Sequence, residues 1–197
     1  IARARGLWLF SDEIFRFLEQ DPALRLPPAA DLYERAVSIG GLSKSFGLPG
    51  VRIGWIATRD QTLLQAMQRF KDYLSLCNGA IDELLACVAL KHRRTLHERS
   101  LQIISANLRT FDEFLARHAG LFSWHKLQAS PVGLVRYTGA EGSTTFCDEL
   151  VKTSGVLLLP SVELEFGDEH FRVGLGRRNA PECIARLDEF LSQHVPA

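Results

Sequence analysis

Ser43-Lys44-Ser45-Phe46-Gly47-Leu48-Pro49-Gly50-Val51-Arg52-Ile53-Gly54-Trp55 is the stretch that decides how this chain of 197 residues is read. It sets a lysine eight residues before an arginine, in a run holding Gly47, Gly50 and Gly54. Glycine adopts backbone angles closed to other residues, so such a run can bend. Upstream, Leu7-Trp8-Leu9-Phe10 is a short continuous apolar run, the pattern of a strand covered on both faces. Ala36-Val37-Ser38-Ile39 reads as a second strand ending at Gly40-Gly41, and Arg52 to Ala57 as a third. Pro27-Pro28 excludes a helix interior between the first two. An acidic motif, Ser11-Asp12-Glu13-Ile14-Phe15-Arg16, follows the first strand, its aspartate 32 residues before Lys44.

Further along, Leu63, Leu64, Met67 and Phe70 mark a helical stripe after Asp60. Leu101, Ile104, Leu108, Phe111 and Leu115 recur at helical spacing up to Gly120, the pattern of a buried face with a glycine stop. The Lys91-His92-Arg93-Arg94 cluster reads as a solvated turn of helix. Beyond Gly120 the pattern shortens. Phe122 to Gln128, Gly133 to Tyr137, Val156 to Leu159 and Phe171 to Leu175 are strand candidates, and Ser143 to Ser154 is a helix closed by Gly155. A last helix is expected over Pro181 to Gln193, with proline in its first turn and Ile184, Leu187, Phe190 and Leu191 on one face. This is the layout of a small α+β domain.

Hydrophobic content of 46% with 23% charged residues places the chain among ordinary globular proteins. Its 23 basic and 23 acidic residues cancel, so no nucleic acid or anionic membrane is implied as a partner. No apolar stretch approaches the roughly 20 residues that cross a bilayer. Two early arginines without a long apolar segment behind them do not make a secretory signal. Cys77, Cys87, Cys147 and Cys183 are scattered and lack C-x-x-C spacing, which argues against zinc and disulfides and for a reducing, cytoplasmic setting. No metal is expected.

The Ser43–Trp55 run, the Ser11–Arg16 motif and the late Phe171-Arg172-Val173-Gly174-Leu175-Gly176-Arg177 segment together resemble the pyridoxal-phosphate (PLP) aminotransferases of class I/II, the fold-type I group. The resemblance covers nearly the whole chain but only the C-terminal part of such an enzyme, so the chain, which opens on Ile1, reads as a fragment. It implies an α/β fold: residues 1–78 as the end of a large domain with a mostly parallel sheet, 79–119 as connecting helices, and 120–197 as a smaller α+β domain. It also implies a homodimer acting on amino acid and 2-oxo acid substrates.

The resemblance assigns roles residue by residue. Lys44 is the amine that forms an imine with the cofactor aldehyde and then moves a proton at the substrate α-carbon; taken alone it is an exposed loop lysine. Arg52 matches the arginine on the cofactor phosphate, where a guanidinium offers paired donors, and Ser43 adds a hydroxyl. Asp12 matches the partner of the pyridine nitrogen, although an aspartate after a strand is also a common turn cap. Arg172 matches the clamp on the substrate carboxylate, in preference to Arg177 and Arg178. Two positions depart from the pattern. Gly41 stands where the family often has a serine, and Phe15 where a tyrosine commonly gives a hydroxyl to the cofactor's phenolic oxygen. His125 and His170 show no catalytic spacing. Transamination is the default reaction. A lyase, decarboxylase or cyclising synthase would use the same Lys44, Asp12 and Arg52, and a non-catalytic module is the reading from a different class.

Overall fold

The computed structural model describes residues 1–194, and the chain divides into two compact units, one of Ile1–Ser100 and one beginning at Leu101.

In the first unit, strands β1 (Leu9–Asp12), β2 (Ala36–Gly41) and β3 (Gly54–Thr58) form a sheet in the order β1-β2-β3. β1 and β2 run parallel with Asp12 opposite Ile39, and β3 returns antiparallel with Gly54 opposite Gly41. The parallel pair needs a crossover. It is supplied by residues 13–35, which include the one-turn helix α1 (Ala29–Leu32). Ala29, Tyr33 and Ala36 bury together there, and the Tyr33 hydroxyl donates to the Leu7 carbonyl at 2.9 Å.

β3 is antiparallel because residues 42–53, which join it to β2, contain no crossover helix. The strand expected at Leu7–Phe10 begins two residues later and is not covered on both faces: Leu9 is 40% and Phe10 64% exposed. Helix α2 (Gln61–Leu74) starts where Asp60 Oδ1 accepts the Leu63 amide at 2.8 Å, and it buries none of its residues. Helix α3 (Ala80–Lys91) sets Ala86 and Ala89 against Leu42, Phe46 and Val51. The basic cluster falls at a helix junction, since α3 ends at Lys91 and α4 (Arg93–Arg117) begins at Arg93.

In the second unit, β4 (Phe122–Trp124), β5 (Val132–Tyr137), β6 (Leu159–Pro160) and β7 (His170–Gly174) make an antiparallel sheet ordered β4-β5-β7-β6. The later turns of α4, with α5 (Gly142–Ser154) and α6 (Ala180–His194), bury one face of it. The centre is aromatic: Phe111, Phe114, Phe122, Phe146 and Phe171 are each 3% exposed or less. Gly155, with φ of 68°, closes α5 in the left-handed conformation, as its position in the sequence predicts. Val156 and Leu158 are buried without joining a strand, so β6 is shorter than the apolar run suggests. β4 likewise ends at Trp124 instead of Gln128.

Candidate active site

Three segments from different parts of the sequence end at the same edge of the first sheet. β1 and β2 run parallel and finish there, at Asp12 and Gly41, and β3 starts there at Gly54. Asp12 is therefore the last residue of one strand, Ser43 and Lys44 follow the next, and Arg52 precedes the third. The ends of parallel strands are where an open α/β sheet leaves room for a ligand.

Backbone hydrogen bonds fix the Lys44 turn. Leu42 N donates to Ile53 O at 3.0 Å, Leu48 N to Leu42 O at 2.9 Å and Gly47 N to Lys44 O at 3.0 Å, with Gly47 at φ of 68°. The turn is also tied to the Asp12 segment, for Ser45 N donates to Ile14 O at 3.3 Å. Beneath it Leu42 and Phe46 are buried, while Lys44 itself is exposed. Its Nζ lies 5.9 Å from the centroid of the Phe15 ring. Phe15, the departure noted in the sequence, thus stands beside the lysine amine.

Arg52 does not open a strand. It sits before β3 at φ of 56°, in the left-handed region that L side chains rarely occupy, with Nη1 donating to Pro49 O at 2.9 Å. Strain of this kind costs about 1–3 kcal/mol and gathers at functional sites. Arg52 and Ser43 line a cleft of about 640 Å³ with Gly40, Gly41, Trp55 and Met67. Asp12 and Lys44 are not among its lining residues. At Gly41 a Cβ would sit 3.0 Å from Ile14 Cδ1 and 3.3 Å from Gly54 Cα, so a serine fits there only if these neighbours give way slightly.

Asp12 caps a turn, the alternative that the sequence also allowed for it. Its Oδ1 accepts the Ile14 amide at 3.0 Å, while Oδ2 has no partner among the described residues. Glu13, to which the sequence reading gave no role, anchors this turn. Its Oε1 accepts Ala29 N at 2.9 Å and Ser38 Oγ at 2.6 Å, and Ser38 Oγ accepts Ala30 N at 3.0 Å. A signal for it was present, since a serine inside an apolar strand requires a polar partner.

Arg172 belongs to the second unit. It lies on the open face of the sheet, opposite Leu134 of β5 and Leu159 of β6, and makes no hydrogen bond or ion pair among the described residues. Arg177 and Arg178 are also exposed. Among the described residues no group of three or more His, Cys, Asp or Glu is placed to hold a metal, and no helix is long and apolar enough to cross a membrane.

The chain as a whole is matched in known proteins. The model of the aminotransferase class I and II family matches residues 1–183, and the chain belongs to that family. Capreomycidine synthase of Streptomyces vinaceus is 30% identical over 99% of this chain and 50% of its own length. The crystal structure of a PLP-dependent aminotransferase from Streptococcus suis superposes with a TM-score of 0.89 at 27% identity, over 100% of this chain and 51% of that one. A PLP-dependent cyclase, OrfR, gives a TM-score of 0.87 at 26% identity, over 98% and 52%. The fold is that of the fold-type I enzymes, consistent with their C-terminal portion, and the chain spans about half the length of the relatives it matches. Pyridoxal phosphate is the cofactor that this membership implies.

Proposed function

We propose that this chain carries the lysine side of a pyridoxal-phosphate site and serves in transferring an amino group between an amino acid and a 2-oxo acid. The observation behind this reading is the arrival of Asp12, Ser43, Lys44 and Arg52 at one end of a sheet from three separate segments. The donor set suits the cofactor: an amine for its aldehyde, a guanidinium and a hydroxyl for its phosphate, and a carboxylate for its ring nitrogen. When bound, the cofactor supplies an electron sink for charge released at the substrate α-carbon.

The residues of the chain do the rest. Lys44 Nζ would hold the cofactor and move a proton at the substrate α-carbon. Arg52, whose Nη1 donates to Pro49 O, would hold the phosphate with Ser43 beside it. Asp12, whose Oδ1 caps the turn, would hold the ring nitrogen with its second oxygen. Arg172 is assigned to the substrate carboxylate by resemblance alone. A homodimer in a reducing cytoplasm fits the same resemblance and the four free cysteines.

A second reading has its own support. The relative at 30% identity is a synthase, one close structural neighbour is a cyclase, and Phe15 lacks a hydroxyl. Incubating the protein with PLP and a panel of amino acids separates the two. Release of a 2-oxo acid supports transamination, and a cyclised amino acid without oxo acid supports the synthase. Neither product, with Lys44 unmodified, overturns both.

A further inference from the structure

Behind the Lys44 turn lies a histidine that the proposed chemistry leaves unused. His97, in the first turns of α4, is 9% exposed, and its Nε2 has no hydrogen-bond partner among the described residues. Its ring stacks on Phe17, with centroids 4.8 Å apart and planes at 16°, and meets Phe46 edge-on at 4.5 Å. Those rings come from the two segments on which the site depends: Phe17 from the segment following Asp12, and Phe46, 3% exposed, from the turn that carries Lys44.

Phe17 is held against its own preference. Its φ of 76° is left-handed, a strained state for a bulky aromatic that persists only where its surroundings impose it. Glu19 Oε1 accepts its amide at 3.2 Å, and the Arg25 guanidinium lies 4.7 Å from its ring centroid on an ion pair with Glu19. Arg16 approaches the same ring at 5.4 Å. His97 is a further holder of that ring.

We propose that His97 is a positioning residue for Lys44: its neutral ring, wedged between Phe17 and Phe46, clamps the Asp12 segment to the Lys44 turn. The proposal rests on the reading of Lys44 and Asp12 given above. Of the charged groups around His97, Arg25 from the Phe17 side and Arg93 from its own helix favour the neutral form and Glu19 opposes them, while the Lys44 turn contributes the apolar Phe46. Burial is the largest influence holding its pKa below the ordinary 6.5, followed by Arg25 and then Arg93, with Glu19 opposing. A histidine depressed in this way leaves the clamp intact above its unfolded value and loosens it as pH falls from about 6.5 toward the folded value.

Amide hydrogen exchange on the purified protein, corrected for intrinsic rates between pH of about 5 and 8, tests the clamp. The reporters are the amides of Ser45, Gly47 and Leu48, which bond to Ile14, Lys44 and Leu42. In the wild type their protection falls below pH of about 6.5. His97→Phe keeps the ring contacts and removes that fall. His97→Ala lowers protection roughly tenfold above pH of about 6.5, as loss of two aromatic contacts implies, and shows no further fall below it. A flat wild-type profile, an unchanged fall in His97→Phe, or a loss spread evenly over the unit overturns the proposal. Borohydride trapping of PLP on the wild type runs in parallel. No label at Lys44 with the exchange pattern present removes the cofactor reading and leaves the clamp; label with a flat pattern does the reverse.

Discussion

Replacing Glu13 by alanine removes the acceptor that ties the Asp12 turn to the crossover behind it. In the wild type Oε1 serves two donors, Ala29 N at 2.9 Å and Ser38 Oγ at 2.6 Å. The glutamate side chain is 14% exposed and Ala29 is 7% exposed, so water does not readily replace the lost bond. A hydrogen bond to a charged group contributes about 1.5–3 kcal/mol, and stranding a buried donor adds a penalty of similar size. The Arg16 pair at 3.7 Å contributes little by comparison. A loss of about 3 kcal/mol results, or roughly a hundredfold in the local opening equilibrium. The direct assay is exchange at the Ala29 and Ala30 amides, which bond to Glu13 and Ser38. Glu13→Gln keeps a carbonyl acceptor and is expected to lose about 1 kcal/mol. Exchange at Ala29 within about threefold of wild type in Glu13→Ala, or equal damage from glutamine, would refute the network as the anchor of the turn.

Asp168 caps α5, its Oδ1 accepting Thr144 N at 2.7 Å, Thr144 Oγ1 at 2.6 Å and Ser143 Oγ at 2.9 Å; Asp168→Ala should lower stability by about 1 kcal/mol, and a change below about 0.3 kcal/mol in urea unfolding would contradict that. The Thr144 hydroxyl is the largest of the influences holding the Asp168 carboxyl below its ordinary value of 3.8, against a smaller desolvation effect, so the cap is intact above that value and is lost as pH falls through the lower folded one. Burial, with smaller contributions from Asp148 and Asp168, pushes the Cys147 thiol up to about 12, so a disulfide reagent at mildly alkaline pH should modify exposed Cys77 and Cys87 and leave Cys147 until the chain unfolds. Equal labelling of Cys147 in the native protein would show that its site opens. Phe15→Tyr adds a hydroxyl beside the Lys44 amine and should shift the pH titration of the PLP adduct's absorbance; an unchanged titration would make the departure silent.

Much of this architecture was legible in the residues. The Gly155 stop, the first-turn proline of α6 and the stripe of Ile184, Leu187, Phe190 and Leu191 are local signals, and the structure has each where its chemistry places it. The strand limits shifted where local pattern does not decide pairing. Val156 to Leu158 is apolar enough for a strand, yet only Leu159 and Pro160 pair with β7. Arg52 looked like the start of a strand because Ile53 and Trp55 follow it. The one-turn helix Pro49–Val51 instead leaves it in a left-handed conformation, which no periodicity encodes. Asp12, Ser43, Lys44 and Arg52 were visible as motif residues. Glu13 stood in the motif without its partner Ser38, 25 residues away, being identified, and His97 was not visible because its part depends on Phe17, 80 residues away. The cover expected over β1 depends on packing that a strand's own sequence cannot specify.

Borohydride reduction of the protein after incubation with PLP, followed by peptide mapping, tests the central claim most directly. A single modified peptide is expected, carrying the reduced adduct on Lys44 and lost in Lys44→Ala while Arg52→Ala weakens its formation. Label distributed over Lys71, Lys91, Lys126 and Lys152, with none preferred at Lys44, would contradict the assignment of the site.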